Sequence, residues 1–204
     1  MHCETSIRFE TPRLVLRTYR MSDALEVTRH LRSRAVTRYT YMPHPYTVDD
    51  YFEFMRRIRS PKARANNIVF AIADKLSGKV IGAVGVHRID LKNRSAEIGY
   101  WLGQPYWGKG IVVEAVNRIV EYLFRERKLQ RVFARVWHPN TRSARVLEKA
   151  GFTLEGRLRR DIFRNHRWMD VLVFGLLRED WSKMRKTRRS KPAGSASRAR
   201  HPKA

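Results

Sequence analysis

A chain of 204 residues with 43% hydrophobic content can build one globular domain with a sizeable core, and no run approaches the roughly 18 consecutive apolar residues of a membrane span. Its 43 Lys and Arg against 19 Asp and Glu leave +24, a field that attracts polyanions and phosphorylated ligands and opposes polycationic acceptors. The single cysteine, Cys3, excludes an internal disulfide and a cysteine metal cluster, and residues 1–10 lack the apolar stretch of a secretory signal, so no metal, no membrane contact and a cytoplasmic location are expected.

Residues 1–10 read as a lead-in. The alternation in Arg13-Leu-Val-Leu-Arg17 predicts a first strand. Ser22 and Asp23 suit a helix cap, and Leu25, Thr28 and Leu31 give the helix that follows, to about residue 34, a thin apolar stripe. Residues 39–46 form a loop rich in Tyr, Pro and His. Thr47, before Val48-Asp49-Asp50, opens a second helix with Tyr51, Phe54, Met55 and Ile58 on one face. Strands follow at residues 67–74, 79–88 and 95–103, and the short turns at Ser77-Gly78 and Lys92-Asn93-Arg94 make them an antiparallel meander. Residues 108–127 carry the helical period at Val112, Val116, Ile119, Val120 and Leu123. A strand at 131–137, a helix at 141–150 stopped by Gly151, and a strand pair around Asn165-His166, 152–163 and 168–177, complete the pattern. Helices covering a largely antiparallel sheet predict an α+β (mixed α/β) fold, with residues 11–182 as one domain. Residues 183–204 hold nine of the basic residues, no acid and no apolar period; they are expected to be a disordered tail, and the chain without them still carries +15.

The strand Ala96-Glu-Ile-Gly-Tyr-Trp-Leu102 runs into Gln104-Pro-Tyr-Trp-Gly-Lys-Gly110 and then into the long helix. Glycines at 108 and 110 let the backbone turn tightly and present its N–H groups. The helix that begins there leaves its first N–H groups unpaired and carries about +0.5 charge at its N-terminus. Such a turn binds a phosphate or pyrophosphate, and Lys109 adds a point charge. It is neither the dinucleotide fingerprint nor a P-loop, because Gly-x-x-Gly and Gly-Lys-Ser/Thr are both missing.

Further blocks widen the pattern: Pro12-Arg-Leu-Val-Leu-Arg17, Glu114-Ala115, Asn140-x-x-Ser143, Glu148-Lys-Ala-Gly-Phe152 and Glu155-Gly156. In this order, across residues 11–181, the blocks resemble the GCN5-related N-acetyltransferases (GNAT), and among them the group that acetylates ribosomal-protein N-termini. The resemblance implies a central twisted, mostly antiparallel sheet of about seven strands flanked by about four helices, with acetyl-CoA as the donor. The strand ending at Leu102 would splay from the strand beginning near Val132 and admit the pantetheine arm. Trp101, Leu102, Tyr106, Trp107, Gly108, Lys109, Gly110 and Ile111 would border that arm and cap the pyrophosphate. Asn140 would bond the pantetheine chain, and Ser143 would lie near the thioester sulfur. Two positions depart from the family pattern. Pro105 stands where Arg or Gln is common, with Gln104 one place earlier. Val112-Val113 replace smaller or hydroxylated residues, which leaves the phosphate contacts to the backbone.

The implied reaction is direct attack of a primary amine on the acetyl thioester in a ternary complex. Only the neutral amine attacks, and an α-amino group titrates near ~7.7–8.0, so a base must take a proton. Glu97, an acid in an otherwise apolar strand beside the cleft, is the first candidate; Asp161, on the final strand pair, is the second. A backbone N–H of the splayed strand would polarise the carbonyl. Ser143 is the candidate donor to the leaving thiolate, since the tyrosine that many relatives carry one turn further along is Leu147 here. Tyr39, Tyr41, His44 and Tyr46 are the candidate acceptor-binding surface. His87, His138 and His166 lack metal-ligand spacing and read as strand or turn caps. Trp101, Trp107, Trp137 and Trp168 read as core or cleft wall. The acceptor implied is the N-terminal amine of a protein or peptide, with the basic tail making a ribosome or RNA contact, in a monomer or homodimer. Two other readings stand beside it: an acetyltransferase for a small-molecule amine, and a nucleic-acid- or ribosome-binding module on an inactive scaffold.

Overall fold

The computed structural model describes residues 7–164 and 166–190; Cys3 and Asn165 lie outside them. Strand β1 (Phe9–Glu10) pairs antiparallel with β2 (Leu14–Arg17), so the sheet begins inside the expected lead-in. Phe9 anchors it: its ring meets Phe70 at 5.6 Å and Tyr122 at 5.0 Å, under the Arg118 guanidinium.

The first helix is shorter than its pattern suggested and breaks into α1 (Ala24–Leu31) and α2 (Arg34–Thr37). Its buried stripe is Ala24, Val27, Thr28 and Leu31, whereas Leu25 is 74% exposed. Asp23 makes no side-chain cap. Both its oxygens are taken at 2.8 Å by the buried Arg17 guanidinium, and one also accepts the Arg20 N–H at 2.8 Å. Bidentate pairing of this kind lets two charges stay buried. Helix α3 (Val48–Ile58) starts where Thr47 and Asp50 cap each other, with Thr47 N–H to Asp50 Oδ2 at 2.7 Å and Asp50 N–H to Thr47 Oγ1 at 3.2 Å. The unforeseen α4 (Pro61–Asn66) follows a Ser60 cap with proline in its first turn.

The meander β3 (Ile68–Asp74), β4 (Val80–Asp90) and β5 (Ser95–Leu102) is antiparallel, as its turns required. Then come α5 (Ile111–Arg125), β6 (Arg131–Trp137), α6 (Thr141–Ala150), β7 (Thr153–Arg164) and β8 (Arg167–Leu177). Among the described residues one eight-stranded sheet results, in the order β1-β2-β3-β4-β5-β6-β8-β7, one strand more than expected, and only β5–β6 is parallel. Alternation along β5 divides the core. Ile98 and Leu102 join the cluster beneath α5 and α6, and Trp101 joins the cluster beneath α1 and α3.

The chain does not leave the fold at residue 182. Helix α7 (Arg178–Ser190) stacks Trp181 on Phe124 at 5.5 Å and donates Arg185 Nη1 to Glu121 at 2.5 Å. Residues 183–190 are therefore helical rather than disordered, held by apolar and ionic contacts that lie far off in sequence; residues 191–204 are outside the described part. Among the described residues no helix is long and apolar enough to cross a membrane.

Candidate active site

Strands β5 and β6 stay in register for Ser95↔Arg131, Ala96↔Val132 and Glu97↔Phe133 and then part. Each keeps its other neighbour, β4 and β8, so the parting opens a wedge between two inner edges. The register identifies the groups along it. Gly103 donates its N–H to the Ile81 carbonyl at 2.8 Å, so in the antiparallel ladder residues 97, 99 and 101 face β4, while Tyr100 and Leu102 turn their backbone toward the wedge. The Leu102 carbonyl accepts the Trp107 indole N–H at 2.8 Å. The Trp101 and Leu102 side chains are 7% exposed and belong to the two cores, so what they offer a ligand is backbone.

At the open end, Gly108 and Gly110 adopt φ of 77° and 72°, a region that L side chains rarely enter. Glu114 makes the first bond of α5, to the Gly110 carbonyl at 3.1 Å, so the N–H groups of Ile111, Val112 and Val113 have no acceptor within the helix. A Cβ on Gly108 would meet nothing within 4 Å, so the mouth is open. The turn is braced from β2. Arg13 donates Nη1 to the Lys109 carbonyl at 2.9 Å and Nε to Glu114 at 2.7 Å, and Glu114 also accepts Thr11 Oγ1 at 2.6 Å. Burial opposes the charge on Glu114, but the Thr11 and Arg13 bonds outweigh it and hold the carboxyl below its ordinary value. Lys109 lies over the Tyr106 ring at 5.8 Å and Arg142 over the Trp107 ring at 4.7 Å, which places two cations at the rim.

Asn140 caps α6, its Oδ1 accepting the Ser143 N–H at 3.2 Å. The Tyr100 hydroxyl reaches from β5 to α6, 2.9 Å from Ser143 Oγ and 3.0 Å from the Ser143 carbonyl. Burial pushes this phenol well up, the Ser143 bond pulling the other way, so it stays protonated and can donate. Leu147 is fully buried and adds no polar group.

On the opposite face Glu97 occupies the last paired position, the vertex of the wedge, with Arg88 Nη1 at 3.2 Å. Burial raises its carboxyl, against the pull of Arg88 and Arg135. Arg88 reaches it because β4 bulges between His87 and Asp90, where Arg88 adopts φ of 49°. Asp161 lies in the irregular stretch of β7 between Leu158 and Ile162 and is bonded by Arg135, so that carboxylate already holds a cation. His87 stands across the ladder from Glu97, with Nδ1 3.2 Å from Asn67 Oδ1.

The expected acceptor loop divides. Tyr41 stacks edge-on against Trp137 at 5.3 Å, Arg164 lies against both rings, and Arg164 Nη2 donates to the Met42 carbonyl at 2.9 Å, which pins the loop to β7. Tyr39 packs with Trp137, Ile162 and Val171. His44 is exposed, with Nδ1 3.4 Å from Thr37 Oγ1. Tyr46 is 5% exposed in the core cluster of α1 and α3, and burial pushes its phenol up to about 12. It is a core residue, not part of an acceptor surface.

A family model described as an acetyltransferase (GNAT) domain matches residues 13–153. The chain belongs to the GNAT acetyltransferases. It is 34% identical over 173 residues to the uncharacterized N-acetyltransferase p20 of Bacillus licheniformis, covering 84% of this chain and 97% of that protein. It is 32% identical over 96 residues, 47% of this chain and 54% of the other, to the ribosomal-protein-serine acetyltransferase of Escherichia coli strain K12. Among solved structures, Mycobacterium smegmatis RimJ in complex with CoA-disulfide aligns with TM-score 0.75 and 26% identity over 86% of this chain and 90% of that one.

GNAT acetyltransferases use acetyl-CoA, and the open, cation-rimmed mouth of α5 with its three unpaired N–H groups fits a diphosphate. Three residues around this GNAT site carried no signal in the sequence. Tyr100 sat inside an apolar strand block, Arg142 was one arginine among many, and His87 read as a cap. Each gains its position from a residue on another element: Ser143, Trp107 and Asn67 respectively.

Proposed function

We propose that this enzyme transfers the acetyl group of acetyl-CoA to the N-terminal amine of a protein or peptide. The observation that carries the reading is the wedge between β5 and β6, with the unpaired N–H groups of α5 at one end and a half-buried carboxylate, Glu97, at its vertex. Similarity to an enzyme named for a ribosomal protein supports the protein acceptor.

Acetyl-CoA brings an activated thioester. The N–H groups of Ile111, Val112 and Val113, with Lys109 and Arg142, hold the diphosphate. The free edge of β5 and the Asn140 side chain receive the amide-bearing arm. Ser143, backed by Tyr100, hydrogen-bonds the leaving sulfur. Glu97 draws the acceptor ammonium to the vertex by charge, and Tyr39 and Tyr41 line its approach. Basic residues toward the C-terminus dock on RNA.

The test is release of free CoA thiol with a panel of N-terminal peptides against a panel of small amines. Peptides are expected to give the higher kcat/KM; a preference for small amines would overturn the acceptor. Acetyl-CoA at about 100 times its Kd should stabilise the fold by roughly 2.7 kcal/mol. An unchanged melting curve would favour a binding module with an idle site.

A further inference from the structure

Asn67 is held at both ends. Its Nδ2 donates to the Ala63 carbonyl at 3.1 Å, in α4, and this fixes which way the amide points. Its Oδ1 therefore faces His87, and an amide oxygen can only accept, so the 3.2 Å contact places a proton on His87 Nδ1. A neutral imidazole with Nδ1 protonated carries a lone pair on Nε2. Burial, and then the Arg88 charge, hold His87 below its ordinary value and so keep it neutral.

The absent side chains at Gly85 and Gly99 make room for the ring itself, which lies over the ladder with Nε2 on the side away from Asn67. A Cβ on Gly85 would lie 2.3 Å from Nε2 and one on Gly99 would lie 3.9 Å away, and the two glycines face each other across the ladder, one step from the His87–Glu97 pair toward the open part of the wedge. The carboxylates nearby are engaged, Glu97 by Arg88 and Asp161 by Arg135. The charged groups on this face of the sheet include Arg88 on β4, Glu97 on β5, Arg131 and Arg135 on β6, and Glu155 and Asp161 on β7. Asn67 and Arg88 also line a surface groove of about 630 Å³.

We infer that His87 Nε2 takes the proton of the acceptor amine as it is acetylated, with Asn67 as a positioning residue that sets the tautomer. The amine nitrogen bonds the thioester carbon, the carbon–sulfur bond breaks, the nitrogen's proton passes to Nε2, and the thiolate takes a proton from solvent beside Ser143. An amine that has begun to bond carbon is far more acidic than a free ammonium, so a weak base suffices. Glu97 draws the acceptor in as its ammonium, which loses one proton to solvent before attack, and His87 takes the second from the nitrogen that has bonded carbon.

The inference rests on the primary-amine reading, and two measurements keep the two apart. Nitrogen NMR of the free enzyme reports His87 without any acceptor. The Nδ1–H tautomer is expected, titrating below about 6.5; an Nε2–H tautomer would overturn the assignment. With an acetylated peptide in hand, Asn67→Asp places an anion on Nδ1–H and should move the His87 titration and the acid limb of kcat/KM together to higher pH. His87→Gln should lower kcat roughly 100-fold and remove that limb, while the acetyl-CoA-induced rise in Tm persists as the check on folding. A limb unmoved in both variants but lost in Glu97→Gln would give the proton to Glu97 instead. A wild-type enzyme that acetylates no amine would remove the acceptor reading and leave the tautomer result standing.

Discussion

Gly110 shows how one residue constrains the site. An added Cβ would meet only Arg13 Nη2 at 3.7 Å, so space is not the obstacle; its φ of 72° is. Gly110→Val should cost about 1–2 kcal/mol in backbone strain alone and rotate the N–H groups of α5 out of line. The expected result is a lower Tm together with loss of the stabilisation by acetyl-CoA, and retained affinity would contradict the diphosphate site. Tyr100 is a second such residue. Tyr100→Phe keeps the ring in the core but removes the hydroxyl 2.9 Å from Ser143 Oγ. Steady-state kinetics should show kcat falling with little change in the KM for acetyl-CoA, the signature of a group that acts after binding. An unchanged kcat would leave Tyr100 a purely structural bridge.

At the scale of elements, the brace between β2 and α5 decides whether the mouth is preorganised. Glu114 joins Thr11, Arg13 and, through Arg13, the Lys109 carbonyl. Its folded-state value lies below the ordinary carboxylate value, so its contribution is fully present above the unfolded value near ~4.3 and is lost as pH falls through the folded one. Glu114→Gln should therefore destabilise by about 1–2 kcal/mol at neutral pH, by the usual strength of charge-assisted bonds at a partly exposed site, and the difference from wild type should shrink below pH 4. Equal Tm at neutral pH would show that the brace contributes nothing. The wedge belongs to the same scale. It exists because β5 and β6 pair over three positions and are then held apart by different partners.

For the whole molecule, the +24 charge is distributed between the fold and its surroundings. Arg13, Arg17, Arg88, Arg135 and Arg185 are committed to carboxylates within the structure. The described part of the C-terminal basic cluster, residues 183–190, is not a free appendage either, since Trp181 and Arg185 tie α7 to α5. Truncation after Ser182 should lower Tm by several degrees relative to truncation after Ser190, at roughly 2–4 °C per kcal/mol for a domain of this size. RNA affinity in either form should fall linearly on a log–log salt plot if phosphates are neutralised. Equal Tm values would mean that the last turns of α7 carry no stability.

Sequence by itself determined what depends on neighbours along the chain: the meander through its turns, the bounds of β6 and α6, the Thr47 cap, and the glycine turn before α5, whose blocks also carried the family resemblance. Alternation and helical period are local properties, and so are caps and positive-φ glycines. Tertiary structure alone decided which groups are spoken for. Asp161 is bound by Arg135, Tyr46 is sealed under α1 and α3, and Asn67, twenty residues before His87, lies 3.2 Å from its Nδ1. Burial and hydrogen-bond direction arise only when distant strands and helices meet, and those two quantities control whether a polar side chain here can exchange a proton.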